Sequence, residues 1–377
     1  MSGVELERVK GRGGLLSCAC DPLLAPLSDD TGPQTRWPLA VFTLSNALNI
    51  FAQALVLTIV PLGGAILFAG PAVALPFAAM LAGAAIGTIP AAWLTGMDQR
   101  WGFALGGSFG VAGAVLAAFG MMNVVGSAFT LGAFWLGLAQ GFGNFYRHGA
   151  AGLARRDGRS IALVIGAGVV AAFTVPSALG FATTSAGPLA TAAALVMAAA
   201  AHLAASGLAF LLPRQRGFAP VALEAKEAAP FAFATISAAT AWFAMSLMMG
   251  LAPSLMIGCG IGVSQTSGIV GWHILAMYAP ALLLGLIITP ERAKLICLLG
   301  LACSASGLGM AFHVTTEAGF TVAMLLSGFG WSGTTLAATT LLHARATPTR
   351  AQLAVHDFLL LAAALTGAGA VALYRFA

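Results

Sequence analysis

The sequence predicts an all-α, polytopic membrane protein made of two pseudo-symmetric helical bundles. Of its 377 residues, 59% are hydrophobic and only 8% are charged, a composition far from that of soluble domains. Apolar runs long enough to cross a bilayer recur along the chain, and one polar segment divides them into two groups. Lysine and arginine collect in alternate loops between these runs, as they do in cytoplasmic loops.

Residues 1–37 are predicted to form a cytoplasmic N-terminal tail. Charged residues occur throughout this segment and no long apolar run is present, so the pattern is not that of a signal peptide. Cys18 and Cys20 form a Cys-x-Cys pair of a kind that suits a soft metal ion, and their role stays open.

Eleven apolar runs follow the tail, and each predicts a transmembrane helix. Their ranges are 38–61, 72–95, 103–122, 125–147, 160–183, 188–212, 231–257, 265–288, 292–312, 318–343 and 351–374. The predicted domains are a six-helix bundle over 38–212, a cytoplasmic linker over 213–230 and a second helical bundle over 231–377. A symmetric six-plus-six protein has twelve spans. Either the second bundle lacks its last helix or the sequence is truncated, and both alternatives are open.

The placement of basic residues predicts the topology of these spans. Arg375 is the single one of 17 basic residues that falls on the side opposite to the others. Arg147 is expected to close the fourth span on the basic side. Because cytoplasmic loops are enriched in lysine and arginine, we expect a cytoplasmic N-terminus and a location in the bacterial inner membrane.

The segment 245–277 contains five of the 13 methionines and no charged residue. On an α-helix, the sulfur-containing residues of its first part fall within about 100° of the circumference and form one stripe. These residues are Met245, Met248, Met249, Met256 and Cys259.

The helix that follows places His273 and Met277 one turn apart on the same face. In an antiparallel hairpin, residues at equal depth have a constant sum of residue numbers. Met245 with Met277 gives the same sum as Met249 with His273, and the centre falls at Ile261 in a glycine-rich turn. We therefore expect these four side chains to converge within the membrane.

Thioether, thiolate and imidazole ligands favour copper over hard cations such as magnesium. Met80, in the middle of the second span, could complete such a site from the first bundle. The alternative is that each methionine is a flexible core residue. Because imidazole also suits the divalent ion, the oxidation state stays open.

Two motifs, Met245-Ser-Leu-Met-Met249 and His273-Ile-Leu-Ala-Met277, resemble the paired Met-x-x-x-Met and His-x-x-x-Met motifs of the CcoA-type copper importers, a branch of the major facilitator superfamily. The segment 96–102 also resembles a degraded form of the signature loop of that superfamily. The resemblance implies import of copper into the cytoplasm, where it supports assembly of the cbb-type cytochrome oxidase. It implicates the four motif residues in metal handling and Cys259 as a neighbouring thiol.

Near the start of the last span, His356 and Asp357 are adjacent. A carboxylate at membrane depth is costly and often functional, so we predict a role in proton coupling. The alternative is that Asp357 lies close enough to the cytoplasm to be hydrated.

The remaining predictions concern classes of function and partners. No nucleophile has a base at a recognisable spacing and no phosphate-binding loop occurs, so neither an enzyme nor a nucleotide-driven pump is indicated. We expect copper to be the transported substrate, and the lipid bilayer and a cytoplasmic copper chaperone to be the partners. We expect no resident cofactor and no nucleic acid partner. The protein is expected to be a monomer. Two competitors stay open: a carrier of an organic solute, drug or metal chelate, and a membrane metallochaperone that binds copper without transporting it.

Overall fold

The computed structural model describes residues 33–153, 158–214, 225–344 and 347–376. Cys18 and Cys20 lie outside these ranges. From Trp37 onward the described residues belong to one compact unit, and almost all of them are helical.

Eight helices form the described part of the first half of the chain. They are α1 (Pro33–Leu67), α2 (Leu75–Met97), α3 (Gln99–Met122), α4 (Gly126–Gly143), α5 (Tyr146–Ala151), α6 (Arg159–Gly166), α7 (Val169–Ala186) and α8 (Ala190–Ala209). Short 3₁₀ turns at Gly70–Ala74 and Gly187–Leu189 precede α2 and α8.

Five long helices account for the second half over the residues that the structure describes. They are α9 (Ala225–Gly258), α10 (Val263–Leu284), α11 (Pro290–Ala311), α12 (Glu317–Ala344) and α13 (Arg350–Phe376). Helix α9 begins inside the segment 213–230 that was predicted as a linker, since Ala225, Lys226 and Glu227 are strong helix formers.

Each of the eleven predicted spans lies on helical chain, but two of them are broken. The helix of the fourth span ends at Gly143, and Arg147 lies on the separate short helix α5 rather than at the end of α4; its placement on the cytoplasmic side stays a prediction. The fifth span breaks between Gly166 and Val169, where backbone bonds tighten to a 3₁₀ pattern. A Cβ at Gly166 would lie 2.3 Å from Leu282, so glycine permits α10 to approach at this break.

Eight stretches of the described chain are long and apolar enough to cross a membrane. One of them, Arg159–Ala209, has 51 residues and covers two predicted spans. The predicted spans 125–147 and 318–343 lie on α4 and α12, outside these stretches. Helix α12 is less apolar because it buries six hydroxyl side chains; these are Ser327, Ser332, Thr334, Thr335, Thr339 and Thr340. The polytopic membrane class is therefore confirmed, with a span count that differs in detail.

Small residues bring neighbouring helices close together. A Cβ at Gly137 of α4 would lie 1.9 Å from the carbonyl oxygen of Met80 on α2, and one at Gly141 would lie 2.5 Å from that of Ala84. Close approach of this kind is what Gly-x-x-x-Gly spacings provide. Helix α4 also packs on α3, and α3 packs on α8.

The two halves meet along two pairs of helices. Helix α13 packs on α9 and also on α2 of the first half, while α10 packs on α12 and also on α6 and α7. Helices α13 and α10 therefore join the two halves.

Basic side chains link several helices by hydrogen bonds at one end of the bundle. Arg100 donates from Nε to the carbonyl of Leu212 at 2.6 Å, and Arg350 donates from Nη2 to the carbonyl of Gly96 at 2.8 Å. We call this end, which contains the starts of α3 and α13 and the end of α8, the basic end. Its orientation relative to the cytoplasm stays a prediction.

Candidate functional site

The sulfur stripe of α9 is divided between two apolar clusters. Met248 and Met256 are fully buried and Met249 is half-buried in a cluster that also contains Met324 of α12 and Ile269 of α10. We call this group the methionine cluster. It brings together three of the predicted sulfur residues and two methionines, Met310 and Met324, that the sequence pattern did not single out.

Met245 and Met277 lie in the second cluster, beside three aromatic rings. Trp242 and Tyr278 each pack against Trp331, with ring centroids 5.3 and 5.7 Å from it. We call these three rings and their two methionine neighbours the aromatic cluster. It also touches α2 and α13, so it lies where the two halves meet.

His273 is fully buried on α10 and faces α12. Its Nδ1 lies 2.7 Å from the carbonyl oxygen of Met324. A carbonyl can only accept, so Nδ1 carries the hydrogen and donates it. In the neutral ring this leaves the lone pair on Nε2, which is buried and has no hydrogen-bond partner in the described part of the chain. The structure thus orients one imidazole nitrogen as an unused acceptor.

A glycine lets α10 and α12 approach each other at this histidine. A Cβ at Gly328, one turn after Met324, would lie 2.8 Å from the backbone oxygen of His273. The close approach explains how the Met324 carbonyl reaches the imidazole ring.

The structure groups Met245 with Met277 in the aromatic cluster. Met249 lies instead in the methionine cluster, together with Met324, whose carbonyl accepts a hydrogen bond from His273. Helix α9 packs mainly on α13 and α12 rather than on α10. In the predicted hairpin α9 and α10 are direct neighbours, whereas in the structure α12 contacts both. Convergence of all four motif residues on one metal ion therefore stays a prediction.

The weaker candidates lie apart from these clusters. Cys259 is exposed just after the end of α9. Met80 is buried in the core of the first half and lines a small cavity with Gln53 and Gln140. Within the described ranges, no three histidine, cysteine or acidic side chains are grouped so as to hold a metal ion.

A second polar site surrounds Asp357, on α13. Arg147 and His148 of α5, His343 of α12, and His356 and Asp357 of α13 form what we call the buried charge cluster; none of the five is more than about a twentieth exposed. Arg147 Nη2 forms an ion pair with Asp357 Oδ1. The cluster therefore joins the two halves of the chain through a salt bridge in the apolar interior.

Hydrogen bonds link this cluster into a chain. Asp357 Oδ2 lies 2.6 Å from His148 Nε2, and His148 Nδ1 lies 3.0 Å from His343 Nε2. A carboxylate accepts, so a neutral His148 carries its hydrogen on Nε2 and accepts at Nδ1 from His343. His356 packs its ring 6.2 Å from that of His148 and bonds through Nδ1 to the hydroxyl of Thr235 on α9, at 2.9 Å.

Sequence reasoning found part of this second site. His356 and Asp357 were predicted, and Asp357 is fully buried, so in this conformation it is not hydrated as the alternative held. Arg147 was placed at the end of a span and His148 and His343 were not singled out. The sequence does contain a signal for these residues: Arg147 and His148 are adjacent at the end of an apolar run, on the same predicted side of the membrane as His356.

Comparisons with known proteins bear on the fold as a whole. No model of a known protein family matches the chain. The riboflavin transporter RfnT of Brucella anthropi is 28% identical over 311 residues, which cover 79% of this chain and 78% of that protein.

Solved transporter structures superpose over nearly the whole chain. The human organic anion transporter MFSD10 (TETRAN) does so with a TM-score of 0.66 at 16% identity, covering 92% of this chain and 95% of its own. A bacterial homologue of the iron transporter ferroportin, in an outward-facing state, gives 0.65 at 14% identity, with 89% and 92% covered. The major facilitator superfamily transporter FucP, in its outward conformation, gives 0.62 at 15% identity, with 89% and 90% covered. The predicted fold class, a polytopic helical protein like those of the major facilitator superfamily, is confirmed.

Proposed function

We propose that this chain is a secondary transporter that imports copper across the inner membrane of a bacterium. Its fold is one in which two bundles rock around a central substrate site. The observation that supports copper is His273, whose Nδ1 donates to a backbone carbonyl and whose buried Nε2 is left without a partner among the described residues. Metal-binding histidines are commonly oriented by such a bond from the other ring nitrogen.

The surroundings of His273 supply soft ligands. Met324, Met248 and Met249 form the methionine cluster beside it, and Met245 with Met277 lies in the neighbouring aromatic cluster. Thioethers and imidazole bind copper, and thioethers favour the monovalent ion. Copper would enter at the level of Met249 and His273 and pass to Met245 and Met277 by ligand exchange, because shallow successive sites avoid trapping the ion.

The direction of transport and the use of the metal are part of the same proposal. The basic end faces the cytoplasm, in line with the enrichment of lysine and arginine in cytoplasmic loops. A cytoplasmic copper chaperone receives the ion for assembly of the cbb-type cytochrome oxidase, as the resemblance to CcoA-type importers implies. The protein works as a monomer without a resident cofactor.

An organic solute is the second candidate cargo, and one feature of the aromatic cluster favours it. The indole nitrogens of Trp242 and Trp331 are buried, and neither has a hydrogen-bond partner in the part of the chain that the structure describes. Buried indole N–H groups usually find a partner. Two such donors beside tilted and edge-to-face aromatic rings, where the halves meet, suit a flat ligand with several acceptors. The similarity to a riboflavin transporter points to the same class of cargo.

Uptake of radioactive copper tests the first proposal, in cells lacking their own importer and at matched membrane abundance. We expect His273→Ala and Met249→Ala to lower uptake about tenfold or more, which corresponds to ~1.4 kcal/mol of lost ligation. The matched controls are His202→Ala, a buried histidine of α8, and Met197→Ala, a half-buried methionine of the first half. Uptake that is equal in all four variants would refute a copper path through α9 and α10.

Riboflavin uptake, measured in parallel, separates the two cargoes. Saturable uptake of riboflavin that is lost in Trp331→Ala but retained in His273→Ala would favour the organic-solute carrier. Copper binding by purified protein without accumulation in proteoliposomes would instead indicate a metallochaperone.

A further inference from the structure

A cavity of about 670 Å³ lies in the second half of the chain, at the basic end. It is lined by the first turns of α9, α11 and α13 and by the last turn of α12. We propose that this cavity, which we call the basal cavity, binds the headgroup and the first acyl carbons of an anionic phospholipid. The proposal goes beyond transport and does not depend on whether the cargo is copper.

The lining of the basal cavity is mostly apolar. Phe231 and Phe233 of α9 and Leu341 and Leu342 of α12 supply its largest apolar side chains. Both phenylalanines are only half-buried, so part of each ring is left uncovered by the described residues. The volume lies within the range of ordinary ligand pockets. An apolar part of a ligand is favoured in such a space, because it removes ring surface from water.

One cationic side chain lines the cavity among the described residues, and it has no acidic partner there. The Nζ of Lys294, on α11, lies 5.6 Å from the centroid of the Phe233 ring, so the ammonium group is held beside the apolar lining. No carboxylate of the described ranges forms a salt bridge with Lys294. The exposed carboxylate of Glu291 also borders the cavity, but it accepts a hydrogen bond from the hydroxyl of Thr289. The free positive charge at Lys294 therefore favours an anion.

Two helix N-termini add to this preference. Helix α11 begins at Pro290 and α13 at Arg350, and both first turns border the cavity. The N-terminal end of a helix carries a partial positive charge and attracts phosphate groups. In the first turn of α13, Gln352 Oε1 accepts from the backbone N–H of Thr349 at 2.7 Å, which leaves the amide Nε2 as a donor. Lys294 and Gln352 thus offer two side-chain donors to one phosphate.

The position of the cavity favours a membrane lipid over a soluble phosphate compound. Two of the stretches that are apolar enough to cross a membrane, Pro290–Ala311 and Arg350–Val371, begin at this end. Directly after Lys294, the exposed side chains of Leu295 and Leu298 continue along α11. They offer an apolar track for an acyl chain whose phosphate is bound at Lys294. Basic pockets between transmembrane helices are known to bind anionic lipid headgroups in this way.

Lipid retention by the purified full chain tests the proposal. The protein is prepared in detergent and mixed with equal amounts of phosphatidylglycerol and phosphatidylcholine that have the same acyl chains. Native mass spectrometry then counts the lipids that remain bound. We expect one retained lipid per chain, with phosphatidylglycerol favoured about fivefold or more, since one lysine near an anionic lipid contributes an effect of this size.

Two pairs of variants locate the bound lipid. Lys294→Gln should reduce the preference for phosphatidylglycerol about fivefold, whereas Arg292→Gln, which removes the same charge from an exposed residue outside the lining, should keep it. Ala229→Trp narrows the cavity from an exposed lining position and should reduce retention of both lipids. Its control, Ala351→Trp, enlarges an exposed residue of α13 that does not line the cavity.

Three outcomes would overturn the proposal. The first is equal retention of the two lipids by the unaltered chain, a result that needs no variant to fold. The second is the same loss of preference in Lys294→Gln and Arg292→Gln. The third is displacement of the bound lipid by an equal concentration of glycerol 3-phosphate, which would indicate a site for a soluble phosphate compound. Lipid retention as expected in a chain that takes up no copper would contradict the copper assignment alone.

Discussion

Replacing Arg147 by methionine removes one partner of the buried salt bridge while keeping a long side chain. Loss of one partner of a buried pair costs about 3–5 kcal/mol, because the other charge is left uncompensated in the interior. Asp357 keeps its bond from His148 at 2.6 Å. We therefore expect a cost of about 3 kcal/mol, at the low end of that range.

Thermal unfolding of purified protein in detergent measures this cost. A loss of this size is expected to lower the Tm by about 4 °C for a chain of 377 residues. The double variant Arg147→Met with Asp357→Leu removes both charges, and it should recover most of the lost Tm because apolar replacements of a buried pair are often neutral.

The pH dependence supplies a second check on the same variant. When Arg147 is absent, a protonated His148 can supply the missing positive charge next to Asp357. The deficit in Tm should therefore shrink as the pH falls from about 8 to 5.5. An unchanged Tm in Arg147→Met, or a double variant no more stable than the single one, would refute the view that this salt bridge holds the two halves together.

Two further predictions concern close helix contacts. Gly137→Ala should lower the Tm and the yield of folded protein, because its Cβ would fall 1.9 Å from a backbone oxygen of α2. The matched control is Gly180→Ala, whose Cβ would meet no described atom within 4 Å. It should be neutral or slightly stabilising in the same thermal assay. Gly328→Ala should move α12 away from His273 and reduce copper uptake several-fold relative to Gly271→Ala, whose Cβ would also meet no described atom within 4 Å. Equal uptake in the last two variants, at matched abundance, would argue against a role for the His273–α12 contact.

Much of the architecture follows from local sequence. Apolar runs of sufficient length must form helices in a bilayer, since each backbone polar group needs a partner within its own segment. The helix class and the approximate ranges of the spans could therefore be predicted. The breaks at Gly143 and Gly166 were missed, because hydropathy measures how apolar a segment is and not where its backbone turns.

The candidate sites depended more on the tertiary structure. The sequence by itself identified the methionines of 245–277, His273 and the carboxylate of Asp357, since these residue types are unusual at membrane depth. Only the packing of distant helices decided their partners. Asp357 meets Arg147 from 210 positions earlier in the chain, and His273 meets a backbone carbonyl on α12 rather than a side chain on α9. The physical reason is that helical periodicity determines which residues share a face, while the neighbour of that face is determined by how all the helices pack together.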